Sequence, residues 1–221
     1  MVVARAAEQD VRASVVVAAT RLFAASGFEG TALQDIADAV GVSKPAVLHH
    51  FPSKELVRQA VLDGILTHWN DTLPRLLLAA TASADRFDAV FGELHRFFAS
   101  SPDRARLVVR EALDRPTELR RLLKGPVRVW LDAVSRYIQA GQEGGRHFPD
   151  VDAGAYVVHV VQLVISASAS AAVLSSVLEE PSRIRYDREL ARIARASLFL
   201  PERPEPKRVP APAKTKKKAK R

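Results

Sequence analysis

"GVSKPAVLHHFPSKELV", residues 41–57, places a glycine turn, a serine, a proline, two adjacent histidines and a second serine within seventeen positions. Gly41 can end a preceding helix, and Ser43 has the side chain of a cap for the next one. Lys44 and Pro45 then fall in the first turn, where the missing N–H of proline costs nothing because the first donors of a helix have no partner inside it. "FPSKE" breaks the chain again, so this helix runs only to about His50, and Ser53 opens another. Val47 and Phe51 lie one turn apart and point toward a small core of Leu22, Phe23, Leu33 and Ile36. That leaves Lys44, Pro45, Ala46, Leu48 and His49 facing outward.

Working back toward the N-terminus, Val15, Ala19, Leu22 and Phe23 follow the helical period, as do Leu33, Ile36, Ala37 and Val40. The first helix ends at "SGFEG" around Gly27. Thr31 with Gln34 three residues on has capping-box spacing, which makes Thr31 the expected cap of the second helix. Helix, helix, tight turn, short exposed helix, long helix is an arrangement that fits a DNA major groove.

These residues resemble a known family. "GFEGTALQDIADAVGVSKPAVLHHFPSKELV" is similar to the DNA-binding domain of the TetR (tetracycline repressor) family of bacterial transcription regulators, with motif-level likeness over residues 11–64. The glycine-aromatic turn, the threonine, "IADAVGVSK" and the exit through His50, Phe51, Ser53, Lys54 and Glu55 occur in order. The chain departs from the family at Leu48, where a tyrosine that commonly touches a DNA phosphate is usual. The resemblance implies groove contacts from Lys44, Pro45, Ala46 and His49, and phosphate contacts from Thr31, Ser43, His50 and Lys54. A lysine can donate to guanine, and Pro45, Ala46 and Leu48 offer apolar surface to thymine methyls. His49 and His50, being adjacent, project in different directions and do not form a chelating pair.

The fold class expected is all-α, with a helix-turn-helix DNA-binding domain over residues 1–55, a helical ligand-binding and dimerisation domain over 56–200, and a disordered basic tail over 201–221. Apolar residues make up 48% of the 221, enough for a sizeable core. In the second domain, residues 85–100 put Phe87, Phe91, Leu94 and Phe98 on one face with His95 beside them. Residues 127–141 do the same with Trp130, Leu131, Val134, Tyr137 and Ile138. A pocket lined by Trp69, Phe91, His95, Phe98, Trp130 and Tyr137 would be apolar with a few polar tips; each of these residues is equally at home as ordinary core. Arg110 and Glu111 read either as pocket groups or as a surface pair.

Residues 153–178 contain no charged side chain and are long enough for a membrane span. His159, Gln162 and a run of serines argue against one, so no membrane partner is expected. A helix this apolar buries itself all round, and Ser166, Ala167, Ser170 and Ala171 permit close approach of another helix. The resemblance implies that this segment and residues 183–198 pair with the same segments of a second subunit. His159, Gln162, Ser166, Ala167, Ser170, Ala171, Leu190 and Ile193 are the expected homodimer contacts.

The net charge of +8 sits in one place. Eight of the 33 basic residues lie within 207–221, which has no acidic residue, leaving 25 basic against 25 acidic in the rest. Such a tail holds DNA non-specifically or serves only solubility. With no cysteine, thiol chemistry and cysteine-based metal sites are excluded. The start of the sequence does not read as a signal peptide, and the cytoplasm is the expected compartment. No nucleophile elbow, His-Glu metal motif or phosphate-cradling loop is present, so neither enzyme activity, a catalytic residue, a metal nor a cofactor is expected. Two readings stand: a ligand-responsive regulator, expected to be a repressor, that binds a palindromic operator on double-stranded DNA as a homodimer under an unidentified small-molecule effector; and a ligand-independent architectural DNA-binding protein dominated by its tail.

Overall fold

The computed structural model describes residues 2–79, 83–178 and 182–201, and the expected disordered tail lies outside the described residues. Among the described residues ten α-helices follow one another: α1 (Val2–Ser26), α2 (Leu33–Val40), α3 (Lys44–His50), α4 (Lys54–Ala79), α5 (Ser83–Ala99), α6 (Pro102–Asp114), α7 (Pro116–Leu123), α8 (Pro126–Glu143), α9 (Ala153–Leu174) and α10 (Arg183–Ala196). A 3-10 turn, Ser175–Val177, extends α9. Among the described residues the sole extended pairing is an isolated bridge between His147 and Phe199.

Local chemistry sets the early boundaries. Gly41 ends α2 at φ 77°, a left-handed conformation that glycine adopts without strain, and its N–H caps carbonyls of that helix. Ser43 Oγ accepts from the Ala46 N–H at 3.3 Å, and Ser53 Oγ from the Leu56 N–H at 3.2 Å, opening α3 and α4. The cap of α2 differs from expectation. Ala32 occupies it, and the Asp35 carboxylate accepts the Ala32 N–H at 2.7 Å. Thr31 is buried beneath, its hydroxyl donating to the Gly27 carbonyl at 2.8 Å, and Gln34 turns away to donate to Asp38.

Val15, Ala19, Phe23, Ile36, Val47, Phe51 and Val57 close a first core around α1 to α4. Leu107 of α6 is fully buried in the same cluster, so the second domain supplies part of the first domain's core. α4 crosses the boundary drawn after residue 55: Val61 and Leu62 belong to the first core, while Ile65 and Trp69 pack on the second. The second core gathers Phe87, Phe91, Leu94, Phe98, Ile138, Val164 and Leu198.

α9 runs through the middle of this second unit, packed most extensively on α6 and also on α5, α8 and α10. By length and composition alone it is apolar enough to cross a membrane. Its inward face is buried against the other helices of the chain, while Val158, Val173 and Val177 stand exposed. Within the subunit α9 therefore has one buried and one open face.

Candidate nucleic-acid interface and ligand cavity

α3 is a one-sided element. Val47 is its only fully buried side chain, anchoring the helix to the first core, and Ser43, Lys44, Pro45 and His49 are exposed with Ala46, Leu48 and His50 half-buried. These seven expected contact residues share one short surface. The His49 and His50 rings lie 5.5 Å apart at 72° to each other. The other two expected contacts are engaged elsewhere. Lys54 Nζ donates to the Phe28 carbonyl at 2.8 Å and the Thr31 carbonyl at 3.0 Å, and sits 4.2 Å from the centre of the Phe28 ring. Together with buried Thr31, it fixes the turn before α2, so both side chains are held within the fold.

In the second domain a cavity of about 560 Å³ lies among α4 to α9. Five of the six expected lining residues border it: Trp69, Phe91, Phe98, Trp130 and Tyr137. His95 does not; its Nε2 lies 3.1 Å from Asp187 Oδ1, and Asp187 also accepts from Arg183, joining α5 to α10. The wall is overwhelmingly apolar. Among its few polar groups, the Tyr156 hydroxyl donates to the Ala194 carbonyl at 2.6 Å, and burial raises its pKa far above the ordinary phenol value.

Between the exposed helix and the cavity lies a charged seam that the sequence did not announce. Arg58 of α4 is buried and donates from Nη1 to Glu111 of α6 at 2.5 Å and from Nη2 to Glu118 of α7 at 2.9 Å, with Glu55 at 3.3 Å. Arg115 donates to Glu55 at 2.8 Å, Glu118 at 3.0 Å and Glu29 at 3.3 Å, over the Phe28 ring. Burial pushes the Glu111 carboxyl up despite the opposing charge of Arg58. At Glu55 burial also acts upward, but hydrogen bonding from Arg115 and the two guanidinium charges win and hold it below the usual range. Arg110 reaches from α6 to the Ala24 and Ala25 carbonyls at 2.8 and 2.9 Å, the end of α1 where acceptors are free and positive charge is favoured. Arg110 and Glu111 are thus neither pocket groups nor a surface pair with each other. They join the two domains.

On α9, His159 is exposed and Ser170 half-buried, while Gln162 and Ser166 are exposed where they border the cavity; Ile193 of α10 is exposed as well. Ala167, Ala171 and Leu190 face inward and are buried within the subunit, so the small-residue patch serves the chain's own packing. Val173, Leu174, Val177 and Ile184 were missed. They complete an exposed apolar surface on these two helices.

A short exposed helix presented by a capped turn, set on a small helical core and backed by a cavity-bearing helical unit, defines a helix-turn-helix protein with a second helical domain. Residues 15–61 match the family model for bacterial regulatory proteins of the tetR family. Residues 15–61 thus carry a segment of the tetR-family type. It is similar to the HTH-type transcriptional regulator RutR of Escherichia coli (strain K12), 33% identical over 138 residues, covering 62% of this chain and 64% of that protein. It is also similar to EthR of Mycolicibacterium smegmatis, 28% identical over 145 residues, 64% of this chain and 65% of the other. The matched region thus spans slightly under two thirds of these relatives. The fold extends further: the ketosteroid transcriptional regulator KstR2 of Mycobacterium tuberculosis superposes with a TM-score of 0.66 at 18% identity over 86% of this chain and 95% of that one. A TetR transcriptional regulator from Chloroflexus aurantiacus gives 0.61 at 25% identity, over 88% and 98%.

Proposed function

We propose that this protein is a ligand-responsive transcriptional repressor of the cytoplasm that binds a palindromic operator as a homodimer. Residues 1–55 form the DNA-binding domain and 56–200 the ligand-binding and dimerisation domain. One observation carries the reading: α4, which follows α3 and runs from the first core to the cavity wall, is joined to α6 of the same wall through the Arg58 and Glu111 pair. Lys44, Pro45, Ala46, Leu48 and His49 read base edges, and Ser43 and His50 position the backbone. The exposed apolar surface on α9 and α10 is the dimer face, because an apolar surface of that extent marks an interaction site. A molecule in the cavity shifts α6 and α4 and thereby the spacing of the two α3 helices. Gel-shift titration on an enriched operator, with cavity-filling compounds added, tests this. Release of DNA by a compound that also raises the melting temperature supports it.

The eight cations of residues 207–221 favour a second reading, an architectural protein held to DNA by its tail. Truncation after Pro206 separates the two. The repressor keeps its operator preference and loses about 2 to 5 from the slope of log K against log salt, on the counterion-release scale; the architectural protein shows no preference to keep.

A further inference from the structure

A second hollow of about 330 Å³ lies between α4 and α7, lined by Arg58, Gln59, Leu62, Glu118, Arg121 and Leu122. Leu62 and Leu122 also line the apolar cavity, so the two spaces share a wall. Their chemistry is opposite. The large one is walled mainly by apolar side chains, with Arg86, Tyr137, Tyr156, Gln162 and Ser166 as its polar exceptions, whereas the small one carries two guanidinium groups, one carboxylate and one amide.

Arg58 is only 5% exposed, and while its two terminal nitrogens hold carboxylates, its Nε–H is buried without a hydrogen-bond partner. A buried donor of this kind costs free energy that an incoming acceptor recovers. Glu118, the carboxylate facing this hollow, has a side chain 42% exposed. It can therefore leave Arg58 for water at small cost, retaining Arg115. Arg121 is exposed on the same helix and faces the same space.

We propose that the effector is an amphipathic carboxylate whose apolar body fills the large cavity and whose anionic head lies in the α4–α7 hollow on Arg58 and Arg121, displacing Glu118. This rests on the reading of the large cavity as the ligand site. One carboxylate replaces another on a buried guanidinium, so charge balance is kept, and the orphaned Nε–H gains an acceptor. A cationic head would stand against Arg58 and Arg121, and a neutral head cannot replace the charge of Glu118. Displacement of Glu118 also removes the direct bond between α7 and Arg58 of α4, leaving the bridge through Arg115 and Glu55, which places ligand recognition and loosening of the interdomain seam in a single exchange.

The test uses the full-length chain and three probes of equal chain length: laurate, dodecanol and dodecylamine. Both tryptophans, Trp69 and Trp130, line the cavity, so quenching of their fluorescence reports occupancy. Laurate is expected to bind about tenfold more tightly than dodecanol, equivalent to about 1.4 kcal/mol, with dodecylamine weakest. Arg121→Gln should remove most of that advantage while leaving dodecanol binding unchanged. Glu118→Gln, by weakening the competitor for Arg58, should tighten laurate alone. Dodecanol binding as tightly as laurate to the unaltered protein overturns the head-group assignment and leaves the apolar cavity standing. Failure of all three probes to quench the tryptophans overturns the cavity reading itself.

Discussion

Arg58 of α4 and Glu111 of α6 form a buried ion pair, Nη1 to Oε2 at 2.5 Å, between residues 53 apart in sequence. Arg58 is 6% exposed along its side chain and Glu111 4%. Two charges withdrawn this far from water repay their desolvation only in part, as the raised carboxyl of Glu111 attests. The pair therefore serves better as a coupling between domains than as a source of stability.

Glu111→Leu should destabilise the protein by about 3 kcal/mol, the low end for an uncompensated buried charge, since Glu118 and Glu55 still attend Arg58. The double variant Arg58→Met with Glu111→Leu should recover most of the loss, as apolar replacement of a buried pair often does. Urea denaturation of both variants checks this. Equal loss in the single and double variants would show that the pair contributes real net stability.

Lys54 supplies a sharper separation between scaffold and interface. Lys54→Met should cost about 1.5–3 kcal/mol, the range for hydrogen bonds to a charged donor, while the salt slope of DNA binding stays unchanged at a temperature where the variant is folded. Lys44→Ala should do the reverse, leaving stability alone and reducing discrimination between operator and scrambled DNA. A reduced salt slope in the Lys54 variant would return that residue to the phosphate contacts.

What the sequence disclosed followed the range of the interaction. Gly41, Ser43, Pro45 and Ser53 act through neighbours one turn away, and the boundaries of α3 were readable from them. The cap of α2 was misplaced by one residue because burial decided it: Thr31 satisfies its hydroxyl on Gly27, and Asp35 takes over the exposed donor of Ala32. Most of the cavity wall was readable because aromatic residues at helical spacing announce an inward face. His95 lay beside that face and met Asp187 of α10 instead. On α9, where both faces are apolar, no periodicity distinguished Ala167 and Ala171 inside from Val173 outside. Arg58 with Glu111 had no local signal at all.

His147 was also missed, because it sits in a connection with no periodicity. It is fully buried, its Nδ1–H donating to the Ile138 carbonyl at 2.9 Å, and it fits because Gly141 has no side chain: a Cβ there would meet the imidazole at 2.0 Å. Burial, aided by the charge of Arg146 and opposed by the Ile138 hydrogen bond, pushes its pKa below 6.5. A folded-state value below the unfolded one means stability present above about pH 6.5 that falls as acid protonates the unfolded chain first. Denaturation midpoints between pH 7.5 and 5.5 should therefore decline, and His147→Phe should flatten that decline. An identical decline in the variant would assign the acid sensitivity elsewhere.

Two neighbouring positions on α9 should behave in opposite ways. Val173 is 69% exposed and Ala171 only 1%. Val173→Asp should leave a folded chain that sediments as a monomer, because the change disrupts only the proposed dimer face. Ala171→Arg should unfold the chain, because it places an unpaired charge inside the subunit. Monomeric unaltered protein at micromolar concentration, or a dimeric Val173→Asp variant, would put the interface on another surface.

The most direct test of the account is selection of bound sequences from random double-stranded DNA by the full-length protein, repeated with Lys44→Ala. A homodimer presenting two α3 helices predicts an enriched two-fold symmetric site with half-sites about one helical turn apart, and relaxed preference within each half-site for the variant. No enrichment, or an asymmetric site equally favoured by the variant, would contradict the claim that α3 reads DNA from a symmetric pair of subunits.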